Sequence, residues 1–399
     1  MRTLLATVSA VVIAVAAVAW AGPPPASAAV KVIDAKKATI TIWHSNAAGT
    51  AGDWAFQTAL ASVRPKFPNV TFRVVRQPWY GETHARFQAD PVRGPDLFQS
   101  PNDQIGTEVR AKLLRDVTSA MKSRAAGLTP QARAGARLSG KYWMVPESTE
   151  TLALLYRPSR VAKVPATTAE LLDAVRGGLK LGVMADSYFS FGFYAAFGGK
   201  VIDATYRCVA DRTPGVADSL AYLRQLQEAG AKPWRIGEYY LLQNGFTNGE
   251  LDAVVEGDWA IGDYRKVLAA DMAVAPLPAG PIGPSQPMVG TTGWFINAKR
   301  VNGQLATRIA LALTDKASQT TAMTAVGRIP ADSSIALTDP LVAVYARIAA
   351  AGIVRPVNRQ FEAYWVPFRS AAEKVILDGS DATAEVRTAC SAMNATNGR

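Results

Sequence analysis

The sequence predicts an α/β fold in a chain long enough for two domains. Three observations lead there. Strand-like and helix-like segments alternate from residue 39 onward, beginning with a β-α-β unit, which implies a parallel sheet with loops beyond its strand C-termini. The 399 residues, 49% of them hydrophobic, can fill more than one core, and a 19% charged fraction is too low for a chain kept unfolded by its charge. A connection rich in proline (Pro276, Pro278, Pro281, Pro284, Pro287) interrupts the alternation late in the chain, where a backbone can pass from one domain to another.

The elements follow in order. Thr39-Ile40-Thr41-Ile42-Trp43 is alternating and β-branched, hence a strand. The polar loop from His44 to Gly52 opens a helix carrying Trp54, Phe56, Leu60 and Val63, which Pro65 stops. Val70, Phe72 and Val74 alternate as a second strand. Gly94-Pro95-Asp96-Leu97-Phe98 reads as a turn and a short buried strand, followed by a helix from about Asp103 to Leu114. Leu152 to Tyr156 reads as a fully buried strand. A helix from Val216 to Ala229, a strand at Ala253-Val254-Val255 and a helix opening at Trp259 come next, and Trp294-Phe295-Ile296 is a strand beyond the prolines. There is no internal repeat.

Met1-Arg2, the apolar run Leu4 to Trp20 and the small residues Ala26-Ser27-Ala28 form a secretory signal, so residues 1–28 are expected to be removed and the chain exported. No cysteine stands near that cleavage site and the chain ends Thr396-Asn397-Gly398-Arg399, so no lipid anchor is expected. The two cysteines, Cys208 and Cys390, are expected to form a disulfide in an exported protein. The net charge of +11 comes from scattered basic residues such as Arg64, Arg110, Arg224 and Arg347, not from a stripe, which argues against nucleic acid and for solvated faces.

Enzyme chemistry lacks its motifs. Glu147 and Glu150 are three apart in one segment, a poor pair for glycoside cleavage. No Gly-x-Ser-x-Gly elbow occurs, Gly177-Gly178 and Gly198-Gly199 lack phosphate-loop followers, and the only histidines, His44 and His84, have no metal-ligand spacing and are expected as surface or loop hydrogen-bonders. Neither catalysis, a cofactor nor a metal is expected.

Five segments in order resemble the maltose-binding-protein-like solute receptors of carbohydrate importers (extracellular solute-binding protein, family 1). They are Ile42-Trp43-His44-Ser45; Gly94-Pro95-Asp96 with Asn102 to Gly106; Gly140 to Pro146 with Glu150 and Leu155-Tyr156; Phe246 to Glu250 with Gly257-Asp258-Trp259-Ala260; and Phe361 to Trp365 with Arg369. The resemblance implies a periplasmic-binding-protein type II fold, two Rossmann-like lobes joined by a hinge with several crossovers. Its lobes would be 29–149 with 290–338, and 150–289 with 339–399, crossing near Glu150, Val289 and Asp339-Pro340. It implies a monomeric receptor that captures a sugar and hands it to the permease subunits of an ABC importer.

A neutral sugar offers apolar C–H faces and a rim of hydroxyls, so its site needs flat rings and directional polar groups. By position, Trp259, Trp365 and Tyr188 would stack on sugar rings, Asp103, Glu150 and Asp186 would accept hydroxyls, and Arg369 would donate. Asn46 and Trp294 are further contributors, whereas Trp43 and Trp143 read as packing. This chain departs from the family in having Ser100 and Gln104 where a tryptophan and an arginine flank the aspartate. Trp79 and Tyr80 are expected to replace that platform, which puts maltose in doubt, and the positive charge hints at acidic sugars. A non-sugar cargo on the same fold, or a glycan-processing enzyme, are the competing readings.

Overall fold

Alternation at Ile40 and Ile42, both buried, lets strand β1 (Ala38–His44) lay one face on a core. In the computed structural model, which describes residues 31–399, β1 pairs in parallel with β2 (Val70–Arg76) and with β3 (Leu97–Pro101). The helix Ala51–Val63 crosses between β1 and β2; Thr50 caps it by accepting from the Asp53 N–H. A two-stranded ribbon, β4 (Arg137–Leu138) and β5 (Lys141–Tyr142), leads to β6 (Met144–Glu150). The signal-like segment 1–28 lies outside the described residues.

One residue, Thr151, separates β6 from β7 (Leu152–Tyr156), yet the two strands belong to different sheets. The second sheet runs β11-β7-β10-β8-β9, with β8 (Leu181–Met184), β9 (Lys232–Trp234), β10 (Ala253–Gly257) and β11 (Ala273–Ala275). The chain then returns through the prolines to β12 (Met288–Ile296), which lies antiparallel between β3 and β6. With β13 (Ile329–Pro330) beside β6 and β14 (Ile353–Val354) on β12, the first sheet has seven strands.

Each sheet has its own core. The first gathers Phe56, Leu60, Phe98, Met144 and Phe295; the second gathers Leu154, Leu223, Val255, Tyr345 and Phe368. This is the two-lobe arrangement with several crossovers. The helix Pro340–Ala351 packs on the second core, and β14 then touches the first sheet once more, a passage that the sequence expectation of a single crossing near Asp339-Pro340 omitted. A two-residue strand carries too little pattern to be read. Cys208 and Cys390 form a disulfide between the segment after Ile202 and the C-terminal helix Ala382–Thr396.

Other boundaries differ locally. The helix expected from Asp103 to Leu114 is shorter, Ile105–Arg110, preceded by a 3-10 turn at Asn102–Gln104. The histidines are not at the surface: His44 is 1% and His84 3% exposed. His84 Nδ1 lies 2.7 Å from Glu108 Oε1 and its Nε2 2.6 Å from Ser100 Oγ, so partners on two other elements draw it inside.

Candidate functional site

The strands of both sheets deliver polar and aromatic side chains to the zone where the chain crosses between them. On the first lobe, the loop after β1 presents Asn46, whose Nδ2 donates to Gln99 Oε1 at 3.0 Å; Gln99 in turn donates to Glu147 Oε2 at 2.6 Å. Burial pushes the Glu147 carboxyl above the usual range. Trp79 precedes the helix Tyr80–Ala89 and is 61% exposed, a flat apolar face in solvent. Asp103, in the 3-10 turn after β3, is half-buried.

On the second lobe, Tyr188, Trp259 and Trp365 are each half-buried, one side packed on the core. The Tyr188 and Trp259 rings stand 6.0 Å apart, and the Tyr188 hydroxyl donates to the Met288 carbonyl at 3.3 Å, on the crossing strand β12. Trp259 lies in the short helical turn Asp258–Ala260 after β10, and its ring lies over Gly257, where any side chain would collide with it. Its Nε1 donates to the Tyr239 hydroxyl at 2.8 Å; Tyr239 and Tyr264 both donate to Glu256 Oε2 at 2.8 Å. Burial raises the Glu256 carboxyl to about 7. Trp365 stands edge-on to Phe361 and Tyr364, and its Nε1 is buried without a hydrogen-bond partner.

Two arginines that sequence reasoning missed tie these walls together. Arg328, just before β13, donates to Glu150 Oε2 at 2.9 Å and lies close to Tyr80 and Glu147 of one lobe and Asp258 of the other. Arg355, just after β14, donates to Asn102 Oδ1 at 3.3 Å and lies 3.7 Å from Glu150 and 3.8 Å from Asp103. Its guanidinium also sits over Tyr188 at 5.2 Å and Trp365 at 5.6 Å. Gly290 makes room for this: a Cβ there would stand 2.8 Å from Glu150 Oε1 and 2.9 Å from Arg355. Burial raises Asp258 to about 7; its Oδ1 accepts from the Thr151 N–H at 2.9 Å, and its Oδ2 has no partner. The only signal for Arg355 in the sequence was its place ten residues before Trp365, which is no motif.

Three expected ligand contacts are placed otherwise. Trp294 is 1% exposed, its ring 5.7 Å from Phe56 in the first core. The reason is that all nine residues of β12 are buried, and the Trp294 ring packs into the first core instead of facing a cleft. Asp186 and Arg369 satisfy one another: Arg369 Nε donates to Asp186 Oδ2 at 2.8 Å, while Asp186 Oδ1 caps the helix Ser187–Tyr194 through the Tyr188 N–H. Asp186 is thus a buried cap that orients Tyr188, not a free acceptor. Glu150 is where expected but is already held by Thr292 and the two arginines.

The lobes also touch directly. The Thr107 N–H donates to Glu362 Oε1 at 2.9 Å, and the Ala51 N–H to Asp263 Oδ1 at 3.0 Å.

The sequence and fold have relatives. The chain is 24% identical over 342 residues to a galactooligosaccharide-binding protein of Bacillus subtilis, covering 78% of this chain and 80% of that one. It is 25% identical over 248 residues to a maltotriose-binding protein of Pyrococcus abyssi, covering 60% of this chain and 53% of that one. Among solved structures, the GacH receptor of Streptomyces glaucescens superposes with a TM-score of 0.83 at 21% identity, over 91% of this chain and 98% of that one. The maltotriose-binding protein of Thermus thermophilus superposes with a TM-score of 0.80 at 23% identity, over 90% and 100%. The pattern of the bacterial extracellular solute-binding protein family matches residues 55–350, well over half of the sequence, and the chain therefore belongs to that family.

Proposed function

We propose that this receptor captures an oligosaccharide between its lobes and delivers it, unaltered, to the permease subunits of an ABC importer. The observation that carries the reading is the set of half-buried rings Tyr188, Trp259 and Trp365 on one lobe, set beside Asp103 of the other lobe and Glu150 at the crossing through the shared Arg355. Flat apolar faces opposite directional polar groups are what a saccharide requires. The names of the relatives, which bind galactooligosaccharide and maltotriose, support the same class. We assign 29–149 with 290–338 to one lobe and 150–289 with 339–399 to the other. Closure then swings on the crossings beside Thr151 and Met288. Ligand contacts are assigned to Trp79, Asp103, Tyr188, Trp259 and Trp365, with Asn46, Glu150, Asp186 and Arg369 holding the walls. Export of a monomer by the N-terminal signal fits an extracellular receptor.

An enzymatic reading has one feature in its favour, the Ser100–His84–Glu108 relay, whose spacing matches a nucleophile, base and orienting acid. Ser100 is 0% exposed, however, so no scissile bond reaches its hydroxyl in this structure. The relay instead links β3 and the helices Tyr80–Ala89 and Ile105–Arg110. A melting screen against mono- and oligosaccharides tests the proposal: a ligand that binds only the native state raises Tm, and by about 2.7 kcal/mol of stability at 100-fold over Kd. No shift with any saccharide, alongside a shift with another solute class, refutes it.

A further inference from the structure

We propose that Arg355 makes the receptor selective for saccharides carrying an anionic group, a uronic acid above all; this rests on the sugar reading above. The inference starts from what the guanidinium occupies. It lies over the rings of both Tyr188 and Trp365, two of the faces on which a sugar would stack. A sugar ring that stacks on either one takes a face from the cation.

A displaced cation needs a counter-charge, and the protein offers an incomplete one. Arg355 is 5% exposed, and its Nε, buried, has no hydrogen-bond partner. Its two carboxylate neighbours stand at 3.7 and 3.8 Å, beyond hydrogen-bond reach. Glu150 is moreover committed through its other oxygen to Arg328 and Thr292. The neutral Asn102 amide oxygen accepts from the Arg355 guanidinium at 3.3 Å, and no carboxylate oxygen does so within hydrogen-bond distance. Burial also raises the Glu147 carboxyl, and it raises Asp258 to about 7, so Asp258 supplies less than a full charge near neutral pH. Nearby, the Trp365 indole N–H is a second buried donor without an acceptor.

Two orphan donors around a buried cation call for an acceptor that carries charge. A ligand carboxylate meets that need: it accepts from the guanidinium fork while its ring takes the aromatic face. A neutral sugar takes the face and leaves the cation underpaired, which costs affinity.

The test is calorimetric titration of the full mature chain with trigalacturonate and with its neutral homologue, galactotriose, repeated on R355M. The wild type is expected to bind the uronate at least about 10-fold more tightly, the order of one charge-assisted hydrogen-bond pair. R355M, which keeps the stem without the charge, is expected to lose the preference and bind the two sugars alike, whatever its overall affinity. Equal or tighter binding of the neutral sugar by the wild type overturns the proposal, and that comparison needs no variant. A preference kept by R355M overturns it as well. Binding of neither sugar, with a third solute class binding, overturns the sugar reading and this proposal together.

Discussion

Replacing Trp259 by alanine removes one flat wall of the proposed site while leaving the strand beneath it, β10, intact. An indole buries about 150 to 250 Å² when covered, and at the low end of that range the half that faces the cleft amounts to roughly 70 to 75 Å² of apolar surface. At about 25 cal/mol per Å², its loss weakens sugar binding by about 1.8 kcal/mol, or roughly 20-fold. The substitution leaves no orphan behind, since the Tyr239 hydroxyl that accepted the indole N–H still donates to Glu256. W259F keeps a smaller aromatic face and drops the indole N–H, so it should cost less than W259A, about 1 kcal/mol. Titration of a binding oligosaccharide into wild type, W259A and W259F, with melting curves as a check on folding, measures both. If folded W259A binds within twofold of wild type, the ring does not face the ligand and the site has been misplaced.

Three further outcomes are expected. Glu256 has its pKa raised from 4.5 to about 7 by burial, so the native state prefers it protonated, and stability should fall as pH rises from about 4.5 through 7; E256Q should flatten that slope, read from urea midpoints against pH. E150A strands Arg328 and Arg355 without their shared carboxylate and should cost about 3 kcal/mol or more in chemical denaturation, whereas E150Q, which keeps an acceptor, should cost less. Reducing the bridge between Cys208 and Cys390, 182 residues apart, should lower stability by about 2 to 4 kcal/mol, and unreduced peptide mapping of the secreted protein should recover the two cysteines together.

The arrangement of Arg328 and Arg355 also bears on how the receptor moves. Both lie in short linkers beside two-residue strands, and both reach charges from segments on either side of the crossing. Cations so placed hold the lobes together by attraction that a bound ligand can exchange for its own contacts, and such an exchange is the usual way a ligand shifts an open-closed equilibrium.

Local pattern alone determined the α/β class, the β-α-β start and the strand Leu152 to Tyr156, because alternation and helical spacing are set by which side chains must leave water together. Trp259 was legible for a similar reason: a tryptophan after a buried strand and a glycine has one place to go, the loop at the strand end. Trp294 was misread because its fate depended on the burial of all nine residues of β12, which the segment by itself does not show. Asp186 and Arg369 each looked like a ligand group, yet they meet across 183 residues and satisfy one another. Arg328 and Arg355 stand in no motif. Their roles arise only when two sheets are brought together, since burial and pairing between distant segments are properties of the packed chain and not of any stretch of it.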